Sequence, residues 1–139
     1  MKVIQFHKTG GPEVLVYEEL PDPTPKDGEV LIRIEAVGLN FADVMRRRGD
    51  PYPEASPVPF ILGAEVAGTI ASVGAGVTSL QIGTSVLAAP GAGGYAQYIC
   101  VPAATVMPLP SGFAPVQAAA LMAQGLTAAL SLRKAARLA

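Results

Sequence analysis

The chain opens on KVIQFHK (2–8), where apolar and polar side chains alternate with the two-residue period of a half-buried strand. GGPEV (10–14) predicts a turn and VLVYEEL (14–20) a second strand. PDPTPKDGE (21–29) is a proline-rich connection whose fixed φ angles discourage both helix and sheet. EVLIRIEAVG (29–38) is the clearest strand: Val30, Ile32 and Ile34 fall on one face, Arg33 and Glu35 on the other. LNFADVMRRRGD (39–50) changes to helical punctuation. Asn40 stands where an N-cap belongs, Asp43 lies in the first turn, and Arg46, Arg47 and Arg48 crowd the last turn before Gly49. Those arginines are expected to form a solvated helix end.

PYPEASPVPF (51–60) carries four prolines and predicts an extended loop. Strand signals return at 64–73 and 84–88, then in GYAQYICV (94–101) and TVMPLP (105–110). From Phe113 the texture changes to alanine, leucine and glutamine. After Pro115 only Gly125 interrupts, which predicts two helices over 115–137, or one broken at that glycine. Six or seven short strands with one early helix make a mainly β, barrel-like unit over 1–112, and 113–139 forms a helical tail.

Composition narrows the function classes. Half of the 139 residues are apolar and 15% are charged, enough for one globular domain with a core. Ten basic and eleven acidic side chains leave a formal charge of −1. No basic excess exists to release phosphate counterions, so neither nucleic acid nor an anionic membrane is the expected partner. Cys100 and His7 are the only residues of their kinds, too few for a four-ligand zinc site, and no metal is expected. Both read as ordinary strand side chains. MKVIQFHK lacks the apolar core of a signal peptide, and no stretch reaches ~18 consecutive apolar residues. The expected location is the cytoplasm.

GAGGYA (91–96) fits the dinucleotide fingerprint G-x-G-x-x-A in letters. That fingerprint works where a helix starts behind the glycines and aims its amides at pyrophosphate. Here the glycines lead into a strand pattern, so a tight turn is the expectation. Glu65 is the other anomaly. It stands in the apolar run PFILGAEVAGTIASVGAGV (59–77), where a carboxylate resists burial unless its charge is met.

Three stretches together resemble the medium-chain dehydrogenase/reductase superfamily, in its zinc-free quinone oxidoreductase (zeta-crystallin-like) branch. They are AVGLNFADVMRRRG (36–49), PFILGAEVAGTIASVGAGVTSLQIGTSV (59–86) and AAALMAQGLTAAL (118–130), with HKTGGPEVL (7–15) and GGYAQY (93–98) between and before them. The resemblance implies a GroES-like twisted barrel over 1–112. It also implies that 113–139 leads into a Rossmann cofactor domain, absent from this sequence. Zinc-dependent members place cysteine, histidine and cysteine where this chain has Asn40, Ala64 and Gln124, and a relay hydroxyl at Ala42. The implied reaction is hydride transfer from NADPH to a quinone or an α,β-unsaturated carbonyl, which needs no Lewis acid.

By the same resemblance Asn40 would hydrogen-bond the nicotinamide-ribose end of the cofactor, Thr127 would sit near its carboxamide, and Tyr52 would line the acceptor pocket. No side chain is implied as a catalytic acid. Met45 replaces a tyrosine found in many relatives, and GDPYPE is one residue longer than the common G-x-Y-P. Glu65 is expected to accept hydrogen bonds from backbone amides or an arginine and to brace the barrel wall, with proton transfer the alternative. The chain is expected to be a fragment, inactive alone and weak in NADPH binding, and to self-associate as a homo-oligomer through its exposed helical faces. Two other functions remain open: an enoyl-thioester reductase on the same scaffold, and a crystallin-like structural protein.

Overall fold

The computed structural model describes residues 1–136. Residues 137–139, the end of the segment expected over 113–139, lie outside the described residues. The elements in chain order are β1 Lys2–Phe6, β2 Val16–Glu19, β3 Glu29–Val37, α1 Phe41–Arg48, β4 Phe60–Ile61, β5 Val66–Val73, β6 Ser85–Ala88, β7 Tyr98–Pro102, β8 Met107–Pro108 and α2 Pro115–Leu130. A wider helical turn, Ser131–Ala135, continues α2, and single tight turns of helix lie at Pro12–Val14 and Ala103–Thr105.

Two antiparallel sheets carry the fold, ordered β2-β1-β4 and β7-β3-β5-β6-β8. A bridge between Val3 and Ala96 ties the first sheet to the segment feeding β7. In β3 the predicted alternation holds: Val30 and Ile32 are buried while Arg33 and Glu35 face solvent. Pairing of β3 with β5 shifts register twice, between Leu31 and Ile32 and between Ile34 and Ala36. Such irregularities bend a strand and sharpen its twist, as a closing sheet requires. The main core joins Val30, Ile32, Val66, Ile70, Val86 and Val101, and a second cluster forms from Phe6, Val14 and Leu62.

Helix α2 meets the larger sheet through small side chains. Ala118 and Ala119 are buried with Ala67, flanked by Leu87, Leu109 and Phe113. Methyl groups at the contact let helix and sheet approach closely. The segment Pro115–Ala135, 21 residues, is also long and apolar enough to cross a membrane by length and composition alone. Counting consecutive apolar residues missed that, because scattered polar residues dilute the run without making it hydrophilic.

Three expectations need correction. The proline-rich 51–60 stretch ends in a short strand, β4, whose Phe60 and Ile61 pair with Phe6 and Gln5. Helix α2 passes through Gly125 unbroken, because one glycine weakens a helix by about 1 kcal/mol and its neighbours outweigh that. Of the three arginines only Arg48 is solvated. Arg46 and Arg47 are each 7% exposed, and Arg47 donates to the Gly10 carbonyl.

Gly68 and Gly125 make opposite predictions. A Cβ at Gly68 would collide with the Arg33 carbonyl and lie 3.1 Å from the Glu35 amide nitrogen, both backbone atoms that cannot step aside. Gly68→Ala should therefore lower stability by about 1–3 kcal/mol or more. At Gly125 the nearest atom to an added Cβ is 3.5 Å away, ordinary contact. Gly125→Ala should raise stability by about 0.5–1 kcal/mol. Urea denaturation of both variants checks the pair, and equal effects at the two sites would contradict it.

Candidate functional site

The site forms where the end of β3, the start of α1, the entry to β5 and the middle of α2 converge. Two carboxylates organise it. Asp43, 7% exposed, accepts from the Asn40 amide at 2.9 Å, the Gly63 amide at 3.1 Å and the Tyr95 hydroxyl at 3.2 Å. One side chain thus fastens α1, the approach to β5 and the glycine turn at 91–96. Burial, and then the Asp43 charge and its hydrogen bond, push the Tyr95 phenol well above its ordinary pKa, so it stays a donor. Gly63 fits this junction because it adopts φ +94 and because a Cβ there would press on Gly94 and Tyr95.

Glu65 is 2% exposed. Its Oε1 accepts from Asn40 Nδ2 at 2.7 Å and its Oε2 from the Ala123 amide of α2 at 2.8 Å. Its own carbonyl accepts from the Gly38 amide at 3.0 Å, and a Cβ on Gly38 would overlap the Glu65 carboxylate. The expectation of backbone-amide support is met at one oxygen. At the other the donor is a side-chain carboxamide, with no arginine involved.

Asn40 has the extended backbone of an N-cap, φ −125 and ψ 152, yet its side chain points away from the helix. Asp43 supplies the capping contact to the Asn40 amide instead. The freed carboxamide meets Glu65 through Nδ2 and accepts from Gln124 Nε2 through Oδ1 at 3.1 Å. Asn40 and Ala64 line a common cleft of about 400 Å³, and Gln124, which lines a separate depression beside Gly38 and Leu39, bonds to Asn40. The three positions singled out in the sequence are therefore neighbours.

Glu65, Ala42 and Tyr52 share that cleft; Ala89 and Gly91 form one side, and Met122, Ala123 and Leu126 of α2 the other. Despite the longer loop, Tyr52 reaches the lining. Arg46 lies over the Tyr52 ring at 4.4 Å and over Phe60 at 5.3 Å while pairing with Glu54. Thr127 is exposed and is not among the lining residues. It stands one helical turn beyond Ala123, on the same side of α2. A depression of about 410 Å³ between β1, β3 and residues 94–97 contains none of the sequence-predicted site residues.

The remaining candidates stay ordinary. Gly91 and Gly93 adopt φ +81 and +90 in a turn that leads to β7, with no helix behind it. Cys100 is half-buried in β7, and burial, then the Glu29 charge, push its thiol up, away from the reactive thiolate. His7 is exposed and contacts Glu18 at 2.7 Å. Sequence reasoning missed the roles of Gly38, Arg46 and the Ala123 amide. Only Gly38 left a signal, a glycine closing a strong strand.

The cleft's donor set fits the nicotinamide end of a dinucleotide: a carboxamide for ribose or amide groups, beside methyl-lined walls on which a flat ring can rest. The described residues offer the pyrophosphate no helix-terminal glycine cradle.

The alcohol dehydrogenase GroES-like domain family matches residues 26–111, and the chain belongs to it. It is the GroES-like N-terminal domain of the medium-chain dehydrogenase/reductase superfamily. The quinone oxidoreductase of Pseudomonas aeruginosa is 41% identical over 134 residues, which span 96% of this chain and 41% of that protein. A 2-haloacrylate reductase from Burkholderia is 36% identical, over 88% of this chain and 38% of that protein. Among solved structures, Escherichia coli quinone oxidoreductase complexed with NADPH superposes with a TM-score of 0.87 at 36% identity, covering 97% of this chain and 41% of that one. The chain thus spans about two fifths of the length of these relatives.

The Glu65 geometry yields a test of bracing. A glutamine there keeps one acceptor oxygen and turns its NH₂ toward a donor, leaving an N–H unsatisfied. Glu65→Gln should lose about 1–3 kcal/mol in urea denaturation with the slope unchanged. Wild-type stability in that variant would remove the bracing role.

Proposed function

We propose that this chain is the acceptor-side domain of a zinc-independent oxidoreductase, in which hydride passes from NADPH to a quinone or an α,β-unsaturated carbonyl. One observation carries the reading. The positions at which the family resemblance places cysteine, histidine and cysteine are here two carboxamides bonded to each other and a methyl: Asn40 and Ala64 line one cleft, and Gln124 is tied to it through Asn40. That donor set suits no Lewis acid, so the acceptor must delocalise incoming charge itself, as conjugated carbonyls do. The quinone oxidoreductases and the 2-haloacrylate reductase among the relatives support the acceptor class.

When bound, NADPH supplies the hydride. Asn40 would hold the nicotinamide-ribose end, using the donor and acceptor capacity left after Glu65 and Gln124 are served. Thr127, exposed one turn along α2, would meet the nicotinamide carboxamide. Tyr52, stacked on Arg46, would form the acceptor wall. The protein's part is orientation in a water-poor cleft. The reaction proposed is a cytoplasmic one. Titration with a neutral naphthoquinone, followed by amide NMR, should shift Asn40, Ala64, Ala89 and Leu126, and Tyr52→Ala should weaken those shifts. Shifts confined to other surfaces, or none, would defeat the reading.

The reading includes self-association through α2. Val116, Leu121, Leu126, Leu130 and Leu132 are 65, 55, 55, 42 and 52% exposed. Sedimentation velocity should show a concentration-dependent oligomer that Leu130→Glu with Leu132→Glu dissociates. A monomer at every concentration would refute it.

A further inference from the structure

Resting on that reading, we propose that Glu65 makes the cleft selective for uncharged acceptors and against those that carry a carboxylate. The two kinds of relative leave this choice open, since a quinone is neutral and a haloacrylate is an acid. The lining decides it. Of the described residues around the cleft, Glu65 alone bears a carboxylate, and both its oxygens accept N–H bonds, as an ionised carboxylate does. Its donors, a carboxamide and a backbone amide, are neutral dipoles, so its charge is solvated and not cancelled.

At 2% exposure that charge is poorly screened by water, and it is felt across the cleft. Arg46 is the cation that comes near, but it stands behind Tyr52 and is paired with Glu54. An anionic acceptor would therefore bring a second negative charge beside Glu65, with no cation among the described residues that line the cleft to receive it. A quinone or ester carbonyl brings only a dipole, which the carboxylate does not repel as it repels an anion. Shape does not discriminate: Ala42, Ala64, Ala89 and Gly91 leave the walls smooth. Charge does.

Cinnamate and methyl cinnamate share a carbon skeleton and differ in charge, and serve as the probes. In amide-NMR titrations of the full chain the ester should bind the cleft at least about tenfold more tightly than the acid, the discrimination expected from like charges in a partly dry site. Glu65→Gln should bring the two affinities together. Because that variant is also expected to lose stability, Ala89→Lys provides a second arm: Ala89 is exposed on the rim, and a lysine there should shift preference toward the acid. Equal binding of acid and ester to the wild type would overturn the inference and leave the function standing. So would a ratio that neither variant changes. Failure of the naphthoquinone and both cinnamates to reach the cleft would overturn inference and function together.

Discussion

Everything in the site depends on how one buried carboxylate is solvated. Among the described residues Glu65 has no cationic partner, and an uncompensated charge at 2% exposure would destabilise the fold by several kcal/mol. Two N–H groups replace the lost water, one from Asn40 and one from Ala123. Hydrogen bonds to charged groups contribute about 1.5–3 kcal/mol each, more than the burial of a single methyl at about 0.8. The apolar contact of Ala118 and Ala119 holds α2 against the sheet, but alanine surfaces slide easily over one another. The bond from Ala123 sets where along the sheet the helix stops. With the Gln124 bond to Asn40, it places Met122, Ala123 and Leu126 as one wall of the cleft.

The two carboxylates divide Asn40 between them. Asp43 takes its backbone amide, which releases the side chain from capping, and Glu65 then takes one of its two side-chain hydrogens. Gln124 occupies one lone pair of the carboxamide oxygen. One donor and one acceptor remain on a side chain that lines the cleft and is held by both partners. Capping position and ligand contact, which look like rivals in the sequence, are served by different atoms of one residue. The amide cannot flip without losing both partners, so its recognition face is set before any ligand arrives.

How much was legible depends on how local the physics is. The β3 pattern, the glycine turn at 91–96 and the oddity of Glu65 are short-range signals, and the structure carries them. The partners of Glu65 were out of reach, since Ala123 acts through its backbone from 58 residues away and leaves no mark in its letter. Arg46 and Arg47 misled for a similar reason. Three cations at a helix end read as solvated, and nothing nearby in sequence announces that Phe60 and the Gly10 carbonyl will meet two of them. β4 was hidden because Phe60 follows prolines, whose effect on φ ends with the proline ring. Gly125 was overweighted: its helix cost is real, but fifteen other residues share the decision.

The resulting cleft combines a permissive shape with a demanding field. Alanines and a glycine make up half of its lining, so an aromatic acceptor of varied substitution meets few steric objections. Its polarity comes from Asn40 and Glu65, two groups locked to each other at 2.7 Å. Moving the Glu65 carboxylate to admit an anion would also cost its bond from Ala123 and loosen the wall that α2 gives the cleft. Selectivity and architecture therefore meet in the same carboxylate, so a change made at Glu65 itself cannot alter the first and leave the second untouched.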